Sequence, residues 1–165
     1  IAVARRVRPD QVTLVPEKRR EVTTEGGLDV QANAKKIRDA VRIFHDLGAT
    51  VSLFIEPDRA VIDATAATGA DFIEIHTGTY CNAREKGARA REIKRIYDAA
   101  RYAVSLGIRV NAGHGLDYVN VVPVLKASSL EELNIGHSII ARSIYTGIGN
   151  AVREMADIIK AGAAG

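Results

Sequence analysis

Cysteine is nearly absent: Cys81 stands alone among 165 residues, which excludes an internal disulfide framework and any multi-cysteine metal cluster. No apolar stretch approaches the roughly 20 residues needed to span a bilayer. The opening IAVARRVRPD has no n-region, h-region or cleavage pattern of a signal peptide, so a soluble, cytoplasmic protein is expected. Nor does charge of one sign dominate. The 23 Lys and Arg are interleaved with 20 Asp and Glu, leaving a formal net charge of +3, which gives no reason to expect nucleic acid or an anionic membrane as a partner. A small anionic substrate suits that balance. Familiar signatures are missing too: no GxGxxG follows the first strand, and there is no Walker lysine motif, HExxH or GxSxG. The four histidines (His45, His76, His114 and His137) have no recognised metal-ligand spacing, and no metal is expected. His45 falls on a helical pattern, where a surface or boundary role is expected.

What is present is a regular alternation. With 47% hydrophobic residues, the length favours one domain over residues 1–165 with one core. The chain opens on Ile rather than Met, and its first ten residues read as a helix end and a loop leading into a strand, so the domain is expected to be N-terminally incomplete. QVTLV (11–15) is a β-branched run that stops at Pro16. A polar loop with Gly26-Gly27 follows, then a helix over 29–47 with apolar residues at helical spacing and Gly48 as its C-cap. Strands are expected at 50–56, 71–78, 108–115 and 132–138, and helices at 58–68, 84–106, 119–127 and 150–161. Such βαβ repetition predicts a parallel sheet, closed as a barrel or open as a doubly wound fold. Each of the five strands ends in a polar cluster (PEKR, IEP, HTG, GHG, GHS), which fits the active rim of a barrel better than one switch point. A complete barrel has eight strands and about 250 residues. The expectation is therefore an α/β (β/α)8 TIM barrel short of about three βα units.

The chemistry gathers at two consecutive strand ends, NAGHG (111–115) and NIGHS (134–138). In barrels the last two such loops, with a helix N-terminus, commonly hold phosphate. Gly113, Gly115 and Gly136 would let backbone N–H groups approach phosphate oxygens, or they simply make tight turns. Ser138 and the IIARSI that follows offer the start of an extra helix. His114, between two glycines, can exchange protons near neutral pH or bond a neighbouring carbonyl. His137 contacts substrate or serves by its backbone position. In FIEIH, Glu74 and His76 share one face with Phe72 while Ile73 and Ile75 take the other. If the isoleucines meet the helices, Glu74 points into the barrel, as a catalytic carboxylate or an ion-paired interior one; His76, nearer the rim, is a lesser candidate. The loop carrying Glu17, Lys18, Arg19, Arg20, Thr23 and Thr24 beside its glycine pair is either a lid or a solvated run of charge.

Together, LVPEKRREVTTEGGLDV, VSLFIEPD, FIEIHTGTY, VNAGHGLDY and ELNIGHSIIARSI resemble consecutive blocks of the pyridoxine 5′-phosphate synthase family, in family order and over nearly the whole chain. The resemblance implies an eight-stranded barrel of which this chain covers about strands four to eight. It further implies the condensation of 3-amino-2-oxopropyl phosphate with 1-deoxy-D-xylulose 5-phosphate to pyridoxine 5′-phosphate, phosphate and water, without cofactor, in a homo-oligomer. By the same resemblance, His114 is a proton donor, Glu74 a transition-state stabiliser and Thr23 a contact to deoxyxylulose phosphate. Gly115, Gly136 and His137 form the aminoketone-phosphate site. The family's first three strands, which bring an Asp-His pair, a proton-accepting His and a general-base Glu, have no counterpart among these blocks. Two other readings stay open. One is a different phosphate-binding barrel, an aldolase or isomerase, for which Lys18 is the only Schiff-base candidate; the other is a barrel fragment serving as an assembly or binding module.

Overall fold

A computed structural model of the chain describes residues 1–16, 26–127 and 129–163. After a short helix α1 (Ala2–Val7) come β1 (Gln11–Leu14), α2 (Val30–Asp46), β2 (Thr50–Ile55), α3 (Arg59–Ala66) and β3 (Phe72–His76). The second half holds α4 (Gly78–Asn82), α5 (Lys86–Ser105), β4 (Arg109–Gly113), α6 (Val121–Val124), β5 (Leu130–Asn134), α7 (His137–Thr146) and α8 (Ile148–Ala163). Local chemistry sets several of these starts. The carboxylate of Asp29 accepts the N–H of Ala32 at 3.0 Å, and that of Asp58 accepts those of Ala60 at 2.9 Å and Val61 at 3.3 Å, satisfying donors that α2 and α3 would otherwise leave bare.

The five strands form one parallel sheet in the order β1-β2-β3-β4-β5. Spatial order follows chain order with no reversal, so the sheet lacks the switch point of a doubly wound fold and is consistent with part of a (β/α) barrel. Its two faces differ sharply. Val51, Leu53, Ile55, Ile73, Ile75, Val110 and Ala112 are buried in one cluster with Ile37, Val41 and Phe44 of α2, Ile62 of α3 and Ile96, Ala99, Ala100 and Ala103 of α5. Each of the larger side chains contributes about 1.5–3 kcal/mol by leaving water. The opposite face is polar. Register places Phe54 beside Glu74, Glu74 beside Asn111 and Asn111 beside Glu132; His76 pairs with Gly113, and Gly113 with Asn134. The period-two reading of FIEIH therefore holds, with Ile73 and Ile75 under the helices and Glu74 turned the other way.

Three stretches differ from expectation. The strand expected at 132–138 ends at Asn134, and His137 and Ser138 instead open α7, whose first turn closes through Ile140 N–H to Gly136 O at 3.0 Å. The helix expected over 119–127 contracts to the four residues of α6, because Asp117 and Asn120 spend their side chains on a turn: Asp117 Oδ1 accepts the N–H groups of Val119 and Asn120, and Asn120 Oδ1 that of Asp117. The short α4 was not foreseen. His45 at the end of α2 meets Asp71 before β3, with 2.8 Å between Nε2 and Oδ2, and the same oxygen accepts Val51 N–H at 2.7 Å. That pins the start of β2 to β3 at the rim opposite the polar strand ends, a boundary role for His45.

Candidate active site

The carboxyl ends of β2, β3 and β4 bring together a carboxylate, two imidazoles and a left-handed turn. Glu74 is 8% exposed. Burial pushes its carboxyl above the ordinary range; the Asn134 side-chain hydrogen bond opposes this, Glu132 reinforces it, and His114 and His76 oppose it. Gly113 next to it has no room for a side chain, since a Cβ there would lie 2.6 Å from Glu74 Oε1 and 2.9 Å from Asn134. The glycine thus lets the carboxylate sit against the end of β4.

His114 follows at once, exposed and with φ of 82°, a conformation costing a residue with a Cβ about 1–2 kcal/mol. Thr77 holds it there. The Thr77 hydroxyl lies 2.7 Å from Gly113 O and 2.5 Å from His114 O, and its N–H donates to Gly113 O at 2.9 Å. The Cys81 thiol, 3.6 Å from His114 O, is pushed up to about 11 chiefly by burial, so it remains a protonated donor and not a nucleophile. The His114 ring stands 5.1 Å from that of His76, centroid to centroid, at 58°.

Gly115 is also left-handed, with φ of 76°, and a Cβ on it would meet Cys81 at 3.0 Å, so its backbone and its packing both call for glycine. Gly136 differs. Its φ is −118° and open space surrounds its missing Cβ, and it caps the ten-residue α7 that begins at the exposed His137. The Ser138 hydroxyl donates to Leu116 O at 2.8 Å, tying the start of α7 to the turn after β4. The two Gly-His ends are therefore neighbours, with backbone N–H groups of a helix start beside a left-handed turn. Such an arrangement can receive an anion.

Thr23 and the other loop residues singled out above lie outside the described residues. Glu56 was not picked out as a candidate, although it extends the Ser52–Phe54 face one step past β2 and bonds His76 Nδ1 at 2.6 Å. Thr77 was missed as well. Among the described residues no group of three or more His, Cys, Asp or Glu is disposed to hold a metal ion, and no helix is long and apolar enough to cross a membrane.

Residues 1–161 match the family model described as "Pyridoxal phosphate biosynthesis protein PdxJ". The chain belongs to this family. It is 49% identical over 160 residues to pyridoxine 5′-phosphate synthase of Geobacter sulfurreducens, an alignment covering 97% of this chain and 67% of that protein. It is 52% identical over 155 residues to the synthase of Photobacterium profundum, covering 94% and 64%. The chain thus spans about two thirds of the length of these curated relatives. The family resemblance read from the five sequence blocks is borne out, and with it membership in an enzyme family of vitamin B6 biosynthesis. A chain in the crystal structure of the Amycolatopsis orientalis BexX/CysO complex superimposes with a TM-score of 0.66 at 14% identity, covering 99% of this chain and 59% of that one; this likeness shows a shared fold.

Proposed function

We propose that this chain forms strands four to eight of a (β/α)8 barrel that condenses 3-amino-2-oxopropyl phosphate with 1-deoxy-D-xylulose 5-phosphate to pyridoxine 5′-phosphate, phosphate and water. The observation that carries this reading is His114, exposed on a left-handed turn beside a buried carboxylate whose pKa is raised. The amine of one substrate and the ketone of the other join as an imine with loss of water; the later dehydration and phosphate loss each need a proton delivered to a departing oxygen, and ring closure needs one on the carbonyl oxygen that is attacked. His114 is the proton donor. Glu74, close by and not in bulk water, stabilises positive charge that develops on the nitrogen-bearing intermediate. Gly115, Gly136 and His137 take the phosphate of the aminoketone at the start of α7, and Thr23 contacts deoxyxylulose phosphate. Homo-oligomeric assembly and a cytoplasmic location belong to the same reading, supported by the family resemblance and by the composition. The lysine-dependent aldolase reading has less support, since no described strand carries a lysine.

The test is turnover of the full-length protein with both phosphorylated substrates. His114→Ala should lower kcat about 10²- to 10⁴-fold with a modest change in KM, because positioned proton transfer contributes on that order. An unchanged kcat would return His114 to a structural role and remove the centre of the proposal.

A further inference from the structure

His76 is 4% exposed, and its Nδ1 lies 2.6 Å from Glu56 Oε1. The same oxygen accepts the backbone N–H of Gly27 at 3.0 Å. Burial works to raise the Glu56 carboxyl, but the hydrogen bonds from His76 and Gly27 outweigh it and hold the group below its ordinary range. Glu56 is therefore a carboxylate near neutral pH, and His76 Nδ1 carries the proton it accepts. This bond fixes both the tautomer and the rotation of the His76 ring.

The fixed ring lies within a group of three. Its centroid is 5.1 Å from Phe54 at 61° and 5.1 Å from His114 at 58°, and Phe54 and His114 are 6.3 Å apart at 60°. Gly78 closes over the imidazole pair: a Cβ there would collide with His76 Nε2 and lie 3.1 Å from His114 Cδ2. His76 Nε2 itself is buried without a hydrogen-bond partner among the described residues. An apolar side chain of similar size would fill this space without an unpaired buried nitrogen, so stability alone gives no reason for a histidine tied to a carboxylate here.

We propose that Glu56 and His76 are positioning residues for His114, an inference that rests on His114 being the proton donor. Glu56 locks the His76 ring, and that ring, backed by Phe54, sets the direction in which the His114 imidazole points. Neither residue touches substrate. Each acts through the aim of the donor, where an error of about 1 Å costs on the order of 10² in rate.

The experiment measures kcat, KM for both substrates and thermal unfolding in the full-length protein carrying His76→Ala, Glu56→Ala, Glu56→Gln or His114→Ala. His76→Ala and Glu56→Ala should each lower kcat about 10²-fold and leave KM within about twofold. Glu56→Gln, which keeps an acceptor oxygen for Nδ1–H, should recover most of that loss. Should His76→Ala fail to fold, Glu56→Ala carries the test, since that side chain is 34% exposed and its removal leaves the three rings packed. A folded Glu56→Ala protein with unchanged kcat, or with its loss confined to KM, overturns the proposal. If His114→Ala itself keeps its turnover, the proton-donor reading fails first; if His114→Ala is inactive while Glu56→Ala is not, only the positioning role falls.

Discussion

Replacing Thr77 by valine keeps the shape of a wholly buried side chain and deletes one hydroxyl. That hydroxyl lies between two carbonyls, Gly113 O at 2.7 Å and His114 O at 2.5 Å, and with a single proton it serves them by turns. Gly113 O would keep the Thr77 N–H at 2.9 Å, whereas His114 O would keep the Cys81 thiol at 3.6 Å, a weaker donor than the hydroxyl it loses. The loss is one hydrogen bond to the carbonyl of an exposed residue, about 1 kcal/mol. For a domain of this size that lowers Tm by roughly 2–4 °C. Urea unfolding followed by far-ultraviolet circular dichroism should show an earlier midpoint with unchanged slope. The consequence for chemistry is separate, because the same contact holds His114 at positive φ: kcat of the full-length Thr77→Val protein should fall while KM holds. An unchanged midpoint together with unchanged kcat would mean that Thr77 does not hold the turn, and the account of His114 would lose its support.

Glu74→Gln should stabilise the fold at neutral pH. The Glu74 carboxyl lies above its ordinary value of 4.5 in the folded chain, so the folded state holds its proton longer than the unfolded one, and stability falls as pH rises through that window; urea midpoints of the two proteins should diverge upward from about pH 4.5, and superimposable profiles would refute the burial argument. Crystals soaked in phosphate should carry an anion within hydrogen-bonding reach of the backbone at Gly115 and Gly136, and an anion bound only elsewhere would remove the phosphate site from these strand ends.

Much of this arrangement was legible from spacing. The alternation of Ile73 and Ile75 with Glu74 and His76 gave the two faces of β3 because a strand's side-chain period is two regardless of context. The Gly-His pairs marked two rim positions for the same reason that glycine marks close backbone approach. What failed was local and small. ELNIGHS reads as one strand because Ile135 continues the apolar pattern, and the start of α7 at His137 has no Ser, Thr, Asp or Asn cap to announce it, only Gly136. Helix α4 is five residues long, too short to show a period. The Glu56–His76 pair joins residues 20 apart, and its partners can be matched only once the register of β2 on β3 is known. Pairings across strands of this kind leave no trace in a single sequence.

The two-faced sheet also limits how such a protein can vary. Because adjacent residues point to opposite sides, inserting or deleting one residue within β3 would exchange Ile73 and Ile75 with Glu74 and His76, sending acid and imidazole into the greasy layer and grease onto the face that carries the candidate site. Loss of the enzyme and loss of the fold would then be one event. Substitutions do not share that fate: a change at Val51 or Ile75 acts on the packed layer, and a change at Glu74 or Asn111 acts on the opposite face. Descendants of this sequence can therefore explore new reactions at the rim, by substitution and by loop length, provided the number of residues in each strand is left alone.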